Sequence, residues 1–381
     1  MNPELSIIIP CLNEEEAIAS CLLEVQKAIK EYSLAAELIV VDNNSKDKSA
    51  AIVRSYQNSF PELQLVREER EGYGLAYLKG FTVARGKYIF MADADSSYDF
   101  LEINKFLDKL KVGYDLVVGN RFAGLMVKKS MSWSHRYLGN PFLSFLVRFF
   151  FQVKINDIHC GARAISRAAL DRINLHTGGM EFASEMIIKA SRQKLKITEI
   201  PINYRPRLGE SKLHSLTDAW RHLRFILLYS PLFLFLLPGT ILFGLGLIFM
   251  ALFYFFNPIF FGFQLYVHPL FFFSVMVILG YQLILFSGFS KVYAITHLGD
   301  SDHRLESLFK WLTIEKAGLV GILMALMGAV IYVIIFVSWV GSGYSSLDEI
   351  KNSIVALTLL VLGIETFFSA FMFSILGIKE K

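Results

Sequence analysis

The stretch Tyr88–Asp99 reads YIFMADADSSYD, and its interpretation decides the fold class. Tyr88-Ile89-Phe90-Met91 is an apolar run with the length of a fully buried strand. It delivers two carboxylates, Asp93 and Asp95, with only Ala94 between them. At about 4 Å, two such charges repel by roughly 4 kcal/mol for an effective dielectric constant near 20. A divalent cation between them offsets that repulsion, and hard oxygen ligands suit Mg²⁺ or Mn²⁺. Mg²⁺ commonly takes one or two protein carboxylates and completes its octahedron with water and substrate phosphates. The stretch therefore points to a metal-bridged phosphate substrate. A bare D-x-D also fits a solvated turn, so the neighbouring segments carry the decision.

Upstream, Leu5–Pro10 (LSIIIP) reads as a strand. A helix is expected to begin among Glu14-Glu15-Glu16, where its dipole favours acidic groups, and to run to about Glu31. Leu38–Val41 is the next strand and ends directly in Asp42; Ser45 is a good N-cap for a helix through about Tyr56. Leu63–Arg67 is a third strand, Gly72–Ala84 a helix and Tyr88–Met91 the fourth strand. Phe100–Lys111 is a helix and Asp115–Gly119 a fifth strand. Strands alternating with helices predict an α/β fold with a doubly wound, mostly parallel sheet. Ligands bind such sheets outside the carboxyl ends of the strands. Asn13-Glu14, Asp42, Asp93/Asp95 and Asn120-Arg121 all fall at those ends. No G-x-G-x-x-G follows the first strand and no G-x-x-x-x-G-K-[ST] occurs, which argues against a dinucleotide-binding Rossmann unit and a P-loop.

The composition divides the 381 residues. The first ~210 mix charged and apolar residues as soluble α/β proteins do. From Phe225 to Ser290 there is no Asp, Glu, Lys or Arg. That region and two later runs predict four membrane spans, at about 231–256, 269–290, 317–340 and 354–378. The start, MNPELSIIIP, lacks the basic and apolar regions of a signal peptide. Lys291, Arg304, Lys310 and Lys316 lie in one connector and Lys379 and Lys381 in the tail, whereas the other two connectors hold Lys351 alone. The positive-inside rule then places the front domain and both termini in the cytoplasm. Cys11, Cys21 and Cys160 form no C-x-x-C pair, so neither a disulfide framework nor a zinc site is indicated. A net charge of +4 is too small to argue for nucleic acid, but it suits an anionic membrane surface.

Arg205-Pro206-Arg207-Leu208-Gly209-Glu210-Ser211-Lys212 combines forked donors, a hydroxyl and a point charge around a glycine, a set suited to phosphate. An ordinary basic loop before a membrane has the same composition. Leu213–Leu228 follows at once, with Leu216, Trp220, Leu223 and Leu227 near helical spacing beside Arg221, His222 and Arg224, the pattern of an interfacial helix. Ser132–Gln152 is a second interfacial candidate, rich in Trp, Tyr and Phe, in which Pro141 would kink a buried helix. His159 reads as a turn or core histidine, and Glu365 as an ionisable group inside the last span.

I-I-I-P-C-L-N-E-E at Ile7–Glu15, V-V-D-N-N-S-K-D at Val40–Asp47, G-Y-G-L-A at Gly72–Ala76 and D-A-D at Asp93–Asp95 resemble the family-2 glycosyltransferases with a GT-A fold. N-D-I-H-C-G-A-R at Asn156–Arg163 and R-P-R-L-G-E-S-K-L at Arg205–Leu213 narrow the resemblance to the polyprenyl-phosphate glycosyltransferases, the dolichyl-phosphate mannose synthase and undecaprenyl-phosphate glucosyltransferase group. The resemblance implies a GT-A domain over 1–212, an interfacial helix over 213–229 and a membrane domain over 230–381. It implies that Pro10, Asn13, Glu14 and Asp42 line the nucleoside pocket, that Asp93 contacts the nucleotide side, and that Asp95 ligates Mg²⁺ or Mn²⁺ with Asp93 beside it. Arg121 would lie near the donor or acceptor phosphate and Asp157 near the reaction centre. Arg205, Arg207, Ser211 and Lys212 would bind the lipid phosphate or the diphosphate. Many members place a glutamine where this chain has Ser97, which leaves a third protein ligand open. The implied reaction moves a hexose from a nucleotide sugar to a polyprenyl phosphate with inversion, in a chain that could form a homo-oligomer. Processive polysaccharide synthesis is disfavoured because no Q-x-x-R-W motif appears; a non-catalytic lipid-binding scaffold stays as the alternative from another class.

Overall fold

Strands β1 (Leu5–Cys11) and β2 (Ala36–Asp42) are buried along nearly their whole length, as unbroken Ile/Val/Leu runs are when both faces of a parallel sheet are covered. The structure, a computed structural model, describes residues 3–209, 215–230, 232–256, 258–260, 263–297 and 314–377. The chain divides into two compact units, Met1–Tyr229 and Ser230–Lys381.

In the first unit β1 pairs in parallel with β2 and with β4 (Tyr88–Met91), and β2 with β3 (Leu63–Arg67). The connections carry α1 (Ile18–Glu31), α2 (Ser49–Tyr56) and α3 (Tyr73–Val83). β5 (Leu116–Asn120) follows α4 (Ile103–Lys111) and runs parallel to β7 (Ile197–Pro201). β6 (Arg163–Ser166) is inserted antiparallel between β4 and β5. The sheet order is β3-β2-β1-β4-β6-β5-β7, the mostly parallel α/β architecture expected of a GT-A fold. The chain turns to opposite sides of β1 to place β2 and β4, so a crevice opens beyond the carboxyl ends of these strands, where such sheets hold ligands.

Several local details differ from the sequence reading. Helix α1 starts at Ile18 rather than among Glu14–Glu16, because the amides of Glu14 and Glu15 donate to Ser49 Oγ and Asp47 Oδ2 (2.8 and 3.0 Å) and tie this segment to the start of α2. Ser45 does not cap α2; its amide donates to Asp42 Oδ1 (3.1 Å), and the helix begins four residues later, where Asp47 Oδ1 accepts from Ser49 N. β6 and β7 escape a periodicity reading: the first is four residues long, and the second is a partly exposed edge strand ending in Pro201.

The aromatic segment forms α5 (Asn140–Phe151), with Pro141 in its first turn and a wider π turn over His135–Gly139 ahead of it. A π turn is a usual answer to a disturbed i→i−4 ladder. Leu143, Ser144 and Val147 face the core, while Trp133, Tyr137, Phe142, Phe145 and Phe149 are exposed. Helix α6 (Arg167–Ile173) and α7 (Phe182–Arg192) follow β6. In α8 (Ser215–Leu228) the inward face carries His222 and Ile226, and Trp220 faces outward. The expected apolar stripe through Trp220 is thus divided between two faces.

Among the described residues the second unit contains four helices long and apolar enough to cross a membrane, with candidate spans Phe233–Phe256, His268–Tyr293, Glu315–Gly341 and Ile350–Gly377. They lie in α9 (Leu237–Phe256, entered through a π turn), α10 (His268–His297), α11 (Ile314–Gly341) and α12 (Ile350–Gly377). Glycines let backbones meet: a Cβ on Gly280 would lie 2.3 Å from Phe243 N, and one on Gly363 2.4 Å from Ala325 N. Such small-residue contacts drive helix packing where no hydrophobic effect is left to do so. Ser274–Thr358 (2.7 Å) and Tyr281–Thr366 (2.6 Å) add hydroxyl bonds between α10 and α12.

Gly363→Leu should therefore lower the thermal stability of the detergent-solubilised chain by several degrees. Gly341→Leu, with nothing within 4 Å of the added Cβ, should leave it unchanged. In the first unit Glu37 accepts from Ser6 Oγ (2.7 Å), Arg85 N (2.6 Å) and the Arg85 guanidinium (2.8 Å). Burial opposes its charge, but these donors outweigh burial and lower its pKa. Its stabilising effect is complete above the ordinary carboxylate range, about 4.3, and is lost as pH falls through the lowered folded-state value. Glu37→Ala should cost about 2 kcal/mol at neutral pH and reduce the acid dependence of unfolding, measured by denaturation at a series of pH values.

Candidate active site

The end of β4 places Asp93 and Asp95 in the crevice, each oriented by its own set of donors. Tyr73 at the start of α3 donates its hydroxyl to Asp93 Oδ1 (2.9 Å). Behind the same carboxylate lies Gly161, where an added Cβ would sit 2.5 Å from Asp93 Oδ2; only a residue without a side chain fits there. Burial, and then the charge of Asp95, push the Asp93 carboxyl up to about 7. Asp95 is 8% exposed. Its Oδ1 accepts from both the hydroxyl and the amide of Ser97 (2.5 and 3.0 Å). Its Oδ2 lies 3.7 Å from the Arg207 guanidinium.

The segment after β7 is stitched across this pair. Tyr98 bridges antiparallel to Tyr204, Arg205 N donates to Ser97 O and Leu208 N to Asp95 O, both at 2.9 Å. These bonds bring Arg207 between Glu14 Oε1 (3.4 Å) and Asp95. Arg205 points elsewhere, pairing with Glu24 (2.6 Å) and Asp99 (2.8 Å). Ser211 and Lys212 lie outside the described residues.

The ends of β1 and β2 are tied to each other. Asn13, with a left-handed φ of 50°, accepts from Lys46 N (2.7 Å) and donates its amide to Ser45 Oγ (3.1 Å). Pro10 is in register with Val41, and Cys11 with Asp42. Asp42 is buried with its Oδ1 on Ser45 N. Asn43 was not singled out by the sequence reading, yet it organises the next loop. Its side chain donates to Arg70 O (2.7 Å) and accepts from Gly72 N (2.8 Å), which sets the start of α3 and hence Tyr73.

A second charged pair lies beneath the crevice. Arg121, just past β5, donates Nε and Nη2 to the two oxygens of Asp157 (2.7 and 2.8 Å), and its amide also bonds Asp157 (3.1 Å). Asp157 is 0% exposed and Arg121 6%. The guanidinium also lies over the Tyr204 ring, 5.1 Å from its centroid. The loop that carries Asp157 is held from inside by Arg163, whose guanidinium donates to the carbonyls of Cys160, Ala183 and Ile158 (2.7, 2.6 and 2.5 Å). Gly161 N donates to Tyr98 Oη (2.7 Å), so one loop touches both charged pairs. Glu199 braces its entrance by accepting from Asn156 N (2.7 Å) and Asn120 Nδ2 (2.9 Å).

The structure thus brings Asp93, Asp95, Glu14 and Arg207 together, sets Asn13 and Asp42 on the adjoining strand ends, and places Asp157 wholly in the service of Arg121. Asn43, Tyr73, Gly161 and Arg163 have no role in the sequence reading although all four lie within its motifs, because their contacts arise only from the packing of distant segments; Ser97, the position where a glutamine is expected, orients Asp95 through Oδ1. Among the described residues no three His, Cys, Asp or Glu side chains are grouped to hold a metal ion. Asp93 and Asp95 are two carboxylates, the number that Mg²⁺ or Mn²⁺ takes when water and phosphate supply the remaining positions.

Residues 6–173 match the glycosyl transferase family 2 model, and residues 288–377 match the glycosyltransferase family 2 C-terminal transmembrane region. The low-salt glycan biosynthesis hexosyltransferase Agl6 of Haloferax volcanii is 35% identical over 98% of this chain and 89% of its own. The dolichyl-phosphate hexose transferase of the same organism is 29% identical over 55% of this chain and 86% of its own. The polyprenol monophosphomannose synthase of Mycolicibacterium smegmatis is 30% identical over 54% and 80%. With its four apolar helices, the chain is an integral membrane protein that belongs to glycosyl transferase family 2.

Proposed function

We propose that the protein transfers a hexose from a nucleotide-diphosphate sugar to a polyprenyl phosphate, with inversion at the anomeric carbon. The observation that carries this reading is the pair Asp93–Asp95 at the mouth of β4, faced by Arg207 and underlain by the Arg121–Asp157 clamp. The names of the relatives, a dolichyl-phosphate hexose transferase and a polyprenol monophosphomannose synthase, support the acceptor class. The positive-inside pattern supports a cytoplasmic first unit and cytoplasmic termini, and the exposed aromatic face beside α5 suits a membrane surface.

Asp95 Oδ2, with Asp93 beside it, would hold Mg²⁺ or Mn²⁺. When bound, the cation supplies charge stabilisation for the departing diphosphate. Ser97 orients Asp95 by occupying Oδ1. Asn13, Glu14 and Asp42 shape the nucleoside end. Arg207 swings between Glu14 and the diphosphate oxygens. Arg121, locked in one orientation by Asp157, presents fixed positive charge beneath the reacting groups; preorganised charge of this kind costs no reorganisation during reaction. The acceptor phosphate oxygen attacks the anomeric carbon as the bond to the nucleoside diphosphate breaks. A phosphate monoester is already largely ionised at neutral pH, its second pKa being about 6. No strong general base is therefore required, and Asp157 serves as a positioning residue rather than a base.

The test is purified full-length protein with Mg²⁺ or Mn²⁺, a panel of labelled nucleotide sugars, and undecaprenyl or dolichyl phosphate; a labelled product extractable into organic solvent is expected. Absence of such product with every donor, from folded protein, would overturn the reading. Asp95→Asn should lower kcat by about a hundredfold or more, and Ser97→Ala should weaken Mn²⁺ binding about 10–100-fold, as loss of an orienting partner does. Gly161→Ala should displace Asp93 and lower turnover with little change in melting temperature. Asp157→Asn separates two roles. A positioning partner of buried Arg121 predicts a stability loss of about 3 kcal/mol or more, whereas a general base predicts lost turnover at unchanged stability.

A further inference from the structure

His159 is a polar group that the site described above leaves unused. It lies between Asp157 and Gly161, in the loop that touches both charged pairs. Both of its ring nitrogens are buried, and among the described residues neither has a hydrogen-bond partner. Leaving a buried polar atom unpaired is unfavourable, so an apolar side chain of similar shape would hold this loop at lower cost. What the ring touches is His222 of α8: the centroids are 4.4 Å apart and the planes meet at 81°. His222 is itself buried, with Nδ1 3.2 Å from Ser184 Oγ on α7.

Among the described residues, the charged and titratable groups that act most strongly on His159 are His222 on α8, Arg121 after β5, Arg163 on β6 and His135 in the turn before α5. All of them carry or accept positive charge. Asp157, two residues earlier, is bound on both oxygens by Arg121. Burial first, and then His222, hold His159 well below the usual histidine range. A proton on the His159 ring adds repulsion to this cluster, and the carboxylate of its own loop, Asp157, is already committed to Arg121.

We propose that His159 is a positioning residue: the edge-on contact of its uncharged ring with His222 sets the loop over 157–161, and with it the Asp157–Arg121 clamp and the Gly161 contact behind Asp93. Protonation of the His159 ring releases α8 from this loop. The helix that leads along the chain to the first candidate span is thereby coupled to the transfer centre through a contact sensitive to acid. The kinetic consequence rests on the transfer reaction proposed above; the structural coupling does not.

The experiment is hydrogen–deuterium exchange of the full chain in lipid nanodiscs at about pH 7.5 and about pH 5.5, corrected for intrinsic exchange rates, with kinetics alongside. In the wild type, exchange over 157–162 and 219–226 should rise about tenfold on acidification. His159→Phe, which keeps the ring but cannot be charged, should exchange slowly at both pH values. His159→Ala should exchange rapidly at both. It should also lose about tenfold in kcat with the donor KM little changed, and His159→Phe should restore that loss. Exchange that ignores pH in the wild type, or an Ala variant as protected as the wild type, overturns the proposal. If His159→Ala fails to fold, the Phe variant decides alone: acid-induced exchange identical to the wild type overturns it. A wild type without turnover on any donor removes the transfer reading, while the exchange data still decide the coupling.

Discussion

Two carboxylates two residues apart at the end of a buried strand cannot both stay charged without a counter-charge, and the first unit is arranged around that constraint. Tyr73, Ser97 and Arg207 approach Asp93 and Asp95 from three different parts of the chain. Each supplies a donor, and none supplies a metal ligand of the usual kind. Burial first, and then the charge of Asp95, still raise the Asp93 carboxyl. A site left in that condition has an affinity for cations, which is the property a diphosphate leaving group requires of it.

The Arg121–Asp157 pair solves a different problem. Removing a guanidinium and a carboxylate from water is costly, and a two-bond fork with an additional amide donor recovers part of that cost. The result is an arginine with one orientation. Two carbonyls of the loop that carries Asp157, those of Ile158 and Cys160, and that of Ala183 on α7 face the interior, and Arg163 takes all three. Rigidity near the reacting groups thus comes from buried arginines satisfying carbonyls and carboxylates. On the crevice side Arg207 stands between Glu14 (3.4 Å) and Asp95 (3.7 Å).

The membrane unit obeys another balance. Lipid tails are as apolar as its side chains, so the helices associate through close backbone approach at Gly280 and Gly363 and through the hydroxyl pairs Ser274–Thr358 and Tyr281–Thr366. On the first unit, the row from Trp133 to Phe149 stays exposed although the opposite face of the same helix is buried. Aromatic rings and adjoining Arg136, which lies over Tyr137, are the composition that partitions to the headgroup region.

The sequence by itself determined the parallel half of the sheet, the strand ends at which Asp42, Asp93 and Asp95 stand, and the four apolar helices. Strand alternation, burial on both faces and span length are local properties written in runs of four to twenty or so residues. Helix starts were less legible, because the amides of Glu14 and Glu15 go to Ser49 and Asp47 and that of Ser45 goes back to Asp42. Only the tertiary structure decided that β6 enters antiparallel between β4 and β5, and that antiparallel entry is what carries the 156–163 loop under the crevice. It also decided that Ser97 orients Asp95, that Arg205 is held by Glu24 and Asp99 while Arg207 faces the site, and that Asp157 belongs to Arg121. These roles depend on pairings between residues dozens to nearly two hundred positions apart, or on a side chain's choice between neighbours, and neither leaves a periodic trace in the chain.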